Sequence, residues 1–287
     1  MGKVAIVTDS TVHVPKGHFE GLPISIIPLH ITWGDQSYRD GVDITPEEFF
    51  HRLQTEKELP HTSQIPLPEF IALYKNLLEQ GFEILSIHIS GRVSNTLEMA
   101  RQAARELSAL DKITTLDSLT GSAAMAFQVV GAAKAAIVGA TLAECTRIAE
   151  KIRERAHIYF VPGALDSLYH GGRIGGAAAF LGSVLQILPI LEPKEGVIAA
   201  VDRVRTMRHA MHRMVELFEA RIKDCNRLVI AGLYADLPEL ADQLLEIIRS
   251  RIDPERIVQI FTTTISPALG VHIGPGSVGL AFTHNLE

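Results

Sequence analysis

Short runs of β-branched residues alternate with longer stretches of helical periodicity along residues 1–160. This alternation is typical of a largely parallel sheet that is covered by helices. The polar pair Gly34 and Asp35 separates two strand-like runs and predicts a hairpin turn. The other predicted strands have the sequences KVAIVTD, ISIIPLHITW, EILSIHIS, KITTLD and HIYFV. We therefore expect an α/β fold whose N-terminal parallel sheet is flanked by helices.

Two helices of this first part have clear start signals. Thr45 is followed three residues later by Glu48, and Thr141 is followed at the same spacing by Glu144. In a capping box the threonine hydroxyl accepts from the backbone of the third helical residue, and the glutamate reaches back to the cap. Both sites predict helix N-termini.

A glycine-dense segment around residues 162–176 marks a change in the pattern. We place a domain boundary there, with an N-terminal α/β domain at residues 1–162 and a C-terminal α+β domain at residues 163–287. Predicted helices of the second domain cover residues 206–223, capped by Thr206, and residues 236–251, capped by Asp236. Its predicted strands have the sequences VIAAVD, RLVIAGLYA, RIVQIFTTT and SVGLAFT.

Composition narrows the class of protein. Of 287 residues, 47% are hydrophobic but only 6% aromatic, so the core is built mainly from aliphatic side chains. Cys145 and Cys225 are too few for a disulfide framework or a zinc site, which favours a reducing, cytoplasmic compartment. The apolar stretch at residues 175–191 is too short and too interrupted to cross a bilayer, so an integral membrane protein is not expected. A net charge of −6 argues against a nucleic-acid partner.

Searches for common catalytic signatures are negative. The sequence has no phosphate-binding GxxxxGK[ST] loop, no HExxH, no GxSxG and no GxGxxG between a strand and a helix. His209 and His212 have helical spacing, but neighbouring arginines would repel a metal ion, and we interpret the pair as helix surface. We expect no cofactor and no metal site.

Several polar segments remain as candidate sites. Ser94 and Asn95 follow a predicted strand at the start of a helix, where free N–H groups favour an anion such as a carboxylate. Ser94 as a simple helix cap is an open alternative. Thr62 lies between prolines, and Thr62 or Ser63 could instead cap the next helix. His272 lies in a glycine-rich turn that could be structural. A cluster of four arginines and two histidines opens the helix that Thr206 caps; it suits an acidic partner or is a solvated face.

Together these segments resemble the DegV family of bacterial fatty-acid-binding proteins. Six matches occur in order between residues 8 and 276, and as a set they are specific. They are Thr8-Asp9-Ser10-Thr11, His61-Thr62-Ser63-Gln64, Ser94-Asn95-Thr96, residues 165–174 (LDSLYHGGRI), Arg203-Val204-Arg205-Thr206 and residues 271–276 (VHIGPG).

The resemblance implies a two-domain protein that binds one long-chain fatty acid, such as hexadecanoate, in its interior. It also implies that the carboxylate is presented to a separate fatty acid kinase subunit, whose acyl phosphate product feeds phospholipid synthesis. By the same resemblance, Thr62, Ser94 and His272 contact the carboxylate, while Arg173 and Arg205 face the kinase. Asn95 stands where the family usually has glycine, which places an extra side chain near the carboxylate.

Other interpretations remain open. The aliphatic stretch 177–191 is a candidate wall of the lipid pocket, or plain core. A hydrolase or acyltransferase could use Ser94 with His272 and Asp9 as a triad. A phosphocarrier acting through His272 is a third possibility. The resemblance favours a non-catalytic lipid-binding protein.

Overall fold

The computed structural model describes residues 3–15, 17–173 and 187–284. In these ranges the strands are β1 Lys3–Asp9, β2 Ile24–Ile27, β3 His30–Trp33, β4 Gln36–Arg39, β5 His61–Ser63, β6 Phe82–His88, β7 Ile113–Asp117, β8 His157–Val161, β9 Leu188–Lys194, β10 Val197–Val204, β11 Leu228–Tyr234, β12 Ile257–Thr264 and β13 Val278–Thr283. The helices are α1 Pro46–Thr55, α2 Leu67–Glu79, α3 Thr96–Glu106, α4 Ser122–Ile137, α5 Leu142–Arg155, α6 Leu165–His170, α7 Met207–Arg221, α8 Pro238–Arg251 and α9 Pro267–Ile273.

The N-terminal sheet is parallel, in the strand order β2-β1-β6-β7, as predicted. The single predicted strand ISIIPLHITW is split in two at Pro28, which has no N–H to donate to a ladder. Its first half is β2 of the parallel sheet. Its second half, β3, turns at Gly34 and Asp35 into β4 and pairs with β5 on its other side, forming a small antiparallel sheet.

The second sheet has six strands in the order β10-β9-β8-β13-β11-β12. Only β11 and β12 run parallel; the other neighbours are antiparallel, which gives the mixed sheet of an α+β half. β8 precedes the predicted domain boundary at residue 162, yet it pairs with β13 of this sheet. The division into 1–162 and 163–287 stays a prediction. Pattern analysis did not assign β9, and of the candidate wall 177–191, residues 177–186 lie outside the described ranges.

Helix starts follow local chemistry. Thr45 and Thr141 form the two predicted capping boxes, and Thr206 caps α7 by accepting from the His209 N–H. The prediction that Asp236 caps α8 is wrong, because the N-cap residue is Leu237. Asp236 has a φ of 75°, and its carboxylate instead accepts from the Gln54 amide.

α4 lies between the two sheets and joins them. It contacts β1 and β6 on one side and β8 and β13 on the other. Its side chains are buried almost all round, from Ser122 to Ala133, as expected for a helix inside a core. The loops that follow β1, β6 and β7 therefore face the second sheet across this helix.

Candidate functional site

A deep cavity lies between the two sheets. The space within it is about 1030 Å³, a figure that includes the part of its mouth that is open to solvent. Its lining is mainly aliphatic and comes from both halves of the chain. The apolar residues are Leu29, Ile89, Val93, Ile158, Phe160, Leu168, Pro193, Ile198, Leu233, Ile265, Ala268, Leu269, Ile273 and Val278.

Thr62 and His272 form one polar contact of this cavity, and both line it. Thr62 lies on β5 opposite Ile31 of β3, and its Oγ1 is 3.0 Å from His272 Nε2. The alternative that Thr62 or Ser63 caps α2 is wrong, since the N-cap residue is Pro66 and no side chain caps that helix. Extended backbone at β5 points the hydroxyl across to α9 instead.

His272 is held by the short helix α9, which the sequence patterns predicted only as a tight turn. Ser266 caps the helix by accepting from the Leu269 N–H. Gly270 faces Phe49 and Phe50 so closely that an added Cβ would lie 2.8 Å from each ring, and a Cβ on Gly171 would lie 2.8 Å from His272 Nδ1. Close packing of Gly270 thus positions the helix that holds His272, and Gly171 lies near the Nδ1 side of the imidazole.

The electrostatics of His272 favour its neutral form. Burial, and to a lesser degree the nearby Arg173 guanidinium, together lower the pKa of this imidazole from 6.5 to about 4. At neutral pH the ring therefore has one donor and one acceptor nitrogen. Such a ring can orient a carboxylate by a hydrogen bond without forming an ion pair with it.

Ser94 lies in the turn between β6 and α3. Its N–H donates to the Ser90 carbonyl, and its Oγ is 2.9 Å from Thr96 Oγ1 and accepts from the Thr96 N–H at 3.3 Å. The alternative that Ser94 caps α3 is wrong, because the N-cap residue is Asn95 and no side chain caps this helix. The Ser94 hydroxyl lines the cavity, so a ligand can reach it.

Asn95 has a different position from the other predicted carboxylate contacts. It is the N-cap residue of α3 but makes no side-chain cap. Its side chain is exposed and does not line the cavity; its Nδ2 donates to Gln64 Oε1 at 2.8 Å. The structure brings Thr62, Ser94 and His272 to one cavity and leaves the Asn95 side chain outside it.

Arg173 and Arg205, the two arginines predicted to face a partner, differ in their position relative to the cavity. Arg173 lines the cavity, and its guanidinium donates to the carbonyls of Val93 and Gly171, so it ties the Ser94 turn to the segment after α6. Arg205 is exposed in the turn between β10 and α7 and does not line the cavity. Arg173 is within reach of a ligand, whereas Arg205 faces solvent.

Sequence patterns missed the hairpin that joins β9 to β10. Its Gly196 is buried in the cavity wall, where the Ser90 hydroxyl donates to the Gly196 carbonyl at 2.8 Å. An added Cβ would lie 2.5 Å from Ser90 Oγ, and the φ of 82° also favours glycine. The Glu195-Gly196 pair between two apolar runs is the signal that could have identified this turn.

Asp9 does not complete a triad with His272 and Ser94. Its Oδ2 lies 3.0 Å from His88 Nδ1 and accepts from the Ile89 N–H, while its Oδ1 accepts from Thr11. Asp9 and His88 are both fully buried. The carboxylate that a hydrolase would need behind His272 is thus committed to another histidine.

Neither a cluster of metal ligands nor a membrane-spanning helix occurs in residues 3–15, 17–173 and 187–284. Within those ranges, no three metal-ligating side chains converge on one point, and His212 is in contact with Arg251 through Nδ1. No helix in the described part of the chain combines the length and the apolar character needed to cross a membrane.

Comparisons with known proteins agree with this architecture. Residues 3–285 match the family model described as "Uncharacterised protein, DegV family". A DegV domain-containing protein of Listeria innocua is 32% identical over 282 residues, which is 98% of each chain. This chain belongs to the DegV family.

Solved DegV structures show the same fold. A DegV family protein of Thermus thermophilus, described by its fatty acid binding, superposes with a TM-score of 0.91 at 29% identity, covering 99% of this chain and 100% of the other. DegV of Bacillus subtilis, described as a fatty acid binding protein, superposes with a TM-score of 0.88 at 28% identity and the same coverage. The DegV resemblance and the α/β fold class predicted from sequence are both confirmed.

Proposed function

We propose that this protein binds one long-chain fatty acid, such as hexadecanoate, in the cavity between its two sheets. The observation that carries the proposal is the pairing of a mainly aliphatic cavity with the hydroxyls of Thr62 and Ser94 and the imidazole of His272. The description of two DegV relatives as fatty-acid-binding proteins supports it.

The aliphatic wall supplies affinity. At about 0.8 kcal/mol per buried methylene, a chain of about 14 methylenes contributes on the order of 11 kcal/mol before the cost of ordering the ligand. The polar contacts then orient the carboxylate, since a carboxylate accepts hydrogen bonds readily from hydroxyl groups. We infer a binding protein without catalytic activity of its own.

We further propose that the carboxylate is presented to a separate fatty acid kinase subunit, which would phosphorylate it for phospholipid synthesis. A carboxylate held by hydroxyls and a neutral imidazole keeps its nucleophilic electrons more available than one locked to a bidentate arginine. Arg205 is exposed and positively charged, and it suits a contact with an acidic partner surface. Cys145 and Cys225 are free thiols, which supports a cytoplasmic setting.

Native mass spectrometry of the protein purified from a lipid-containing host tests the binding proposal. We expect an added mass corresponding to one C16–C18 acid, removable by delipidation and restored by adding the acid. A protein that carries no such mass and binds no added acid would contradict the proposal.

The kinase proposal needs its own test. With the kinase subunit of the same organism, we expect acyl phosphate formation that Arg205→Glu abolishes while acid binding is unchanged. Arg249→Glu, at an exposed arginine near the end of α8, is the matched control and should retain the activity. Equal activity of both variants would show that Arg205 does not contact the kinase.

A further inference from the structure

The polar groups in the cavity wall differ in whether they already have partners. Thr62 contacts His272, Ser94 contacts Thr96, and Ser90 donates to Gly196. In contrast, Thr120 Oγ1 and Ser122 Oγ are buried and have no hydrogen-bond partner in the described structure. Thr120 is 8% exposed and Ser122 is 4% exposed, and both residues line the cavity.

Thr120 and Ser122 differ from the other buried polar groups without a partner in that they line the cavity. Six other residues also include a buried atom without a partner, but none of them lines the cavity: Thr8, His13, Asp40, Gln128, Thr283 and His284. Within the described wall, unsatisfied hydroxyls thus occur at one place, the end of the loop between β7 and α4 and the first residue of α4. A ligand in the cavity is the group that can reach them.

The same place is the N-terminus of a long helix. α4 has 16 residues, begins at Ser122, and has Gly121 as an N-cap residue without a side chain to accept from its first N–H groups. Its first turn has no acidic residue, in contrast to α1 with its capping box. Free N–H groups and the positive end of the helix dipole therefore accompany the two hydroxyls, and all of these groups favour an oxygen atom.

We propose that Thr120 and Ser122 form a second polar subsite of the cavity, which receives a hydroxyl group carried on the acyl chain. The ligand class would then include hydroxylated long-chain acids. A ligand hydroxyl can accept from one side chain and donate to the other, so it satisfies both groups at once. This inference rests on the proposed function and refines its ligand.

The inference is tested by measuring the affinity for a series of hydroxystearic acids that differ in the position of the hydroxyl group. The delipidated full-length protein is titrated with stearic acid and with hydroxystearic acids substituted at successive positions, by competition against a fluorescent fatty acid. We expect at least one positional isomer to bind about fivefold more tightly than stearic acid, as one or two good hydrogen bonds allow. The other isomers should bind no better, because their hydroxyls meet aliphatic wall.

Variants assign the preference to the subsite. The double variant Thr120→Val with Ser122→Ala keeps the side-chain volumes similar and should reduce the preference to within about twofold, with stearic acid affinity retained. Thr8→Val is the matched control, because it removes a buried unpartnered hydroxyl away from the cavity, and it should keep the preference. Thermal denaturation of each variant verifies folding.

The outcomes separate the two proposals. If stearic acid binds but no isomer is preferred, or the preference survives in the double variant, the subsite is wrong and fatty acid binding stands. If the double variant instead loses affinity for stearic acid itself, these hydroxyls hold the carboxylate of plain acids, and a second subsite is again excluded. If no acid of either kind binds, the proposed function fails first.

Discussion

Two histidines of this protein each contact a hydroxyl group, and their surroundings differ. His88 is fully buried beneath the loops of the parallel sheet, between Ser86 and Asp9. His272 faces the cavity, where its contacts are Thr62 on one ring nitrogen and Gly171 against the other. The first set is a closed network and the second is open to a ligand.

Hydrogen-bond direction explains why the buried network is closed. Tyr74 donates its hydroxyl to Ser86 Oγ at 2.7 Å, so Ser86 can donate onward to His88 Nε2 at 2.7 Å. His88 then has its proton on Nδ1 and donates to Asp9 at 3.0 Å. Each polar side chain of this network thus has a partner, and all four residues are fully buried and lie outside the cavity lining, where a ligand cannot reach them.

The open network has capacity left. Thr62 and His272 share a single hydrogen bond, so the hydroxyl and the imidazole each retain a lone pair or a proton for a further partner. Similar residue types thus form a buried network in one region and a candidate binding site in the other, and the difference is access to the cavity.

The largest effect is expected on the free energy of unfolding when a residue of the closed network is removed. Asp9→Ala should lower the free energy of unfolding by about 3–5 kcal/mol, because it leaves His88 and several backbone and hydroxyl donors buried without a partner. Urea denaturation measures it. Asp111→Ala, at an exposed loop position, is the control and should leave the midpoint nearly unchanged. A small loss in Asp9→Ala would show that the network is not structural.

The next effect is expected from the titration of His272, which should appear in the way that the free energy of unfolding changes with pH. His272 has a pKa of about 4 in the folded protein against about 6.5 when unfolded. Below pH 6.5 the unfolded chain therefore binds a proton that the folded protein does not, and stability falls until about pH 4. This difference corresponds to about 3 kcal/mol.

His272→Gln isolates that contribution, since the other titrating groups are common to both proteins. We expect the variant to lose less stability than the wild type between pH 7 and pH 4.5 in urea titrations. Parallel curves for the two proteins would mean that His272 titrates normally and is more hydrated than its position indicates.

Removing the hydroxyl of Ser94 or of Thr62 should lower the affinity for a long-chain acid about tenfold. On the proposed carboxylate assignment, Ser94→Ala or Thr62→Val each removes a hydrogen bond to a charged carboxylate, and the fold should be retained. Isothermal titration with a long-chain acid measures the loss. Ser63→Ala, next to Thr62 but outside the cavity wall, is the matched control. Unchanged affinity in both test variants would contradict the carboxylate assignment.

The smallest effect is expected for Asn95→Gly, which introduces the residue usual in the family. The Asn95 side chain is exposed and contacts Gln64, so affinity for the acid should change less than about threefold. An N-cap change from asparagine to glycine costs only a few tenths of a kcal/mol. A larger change in affinity would place Asn95 at the carboxylate, as the resemblance implied.

Features of the fold that depend on residues close together in the sequence were predictable. Features that depend on residues far apart in the sequence were not. The capping boxes at Thr45 and Thr141 depend on residues three apart, and both form as predicted. The split of one predicted strand at Pro28 was missed, because strand propensity does not specify which sheet a strand joins.

The same distinction between local and long-range features applies to the candidate site. Thr62, Ser94 and His272 could be named from motifs, but the contact between Thr62 and His272 joins residues 210 positions apart. Gly196, Thr120 and Ser122 are ordinary loop residues in sequence. Their importance depends on the packing of β9–β10 and α4 against the cavity, which no local pattern encodes.

A cavity walled by both sheets links lipid occupancy to folding. Since residues of both halves line the space, an acyl chain bound there would contact both halves and oppose their separation. A ligand that binds only the folded state adds about 2.7 kcal/mol at a free concentration of 100 times its Kd. The melting temperature of this protein should therefore report the lipid supply of the cell from which it was purified.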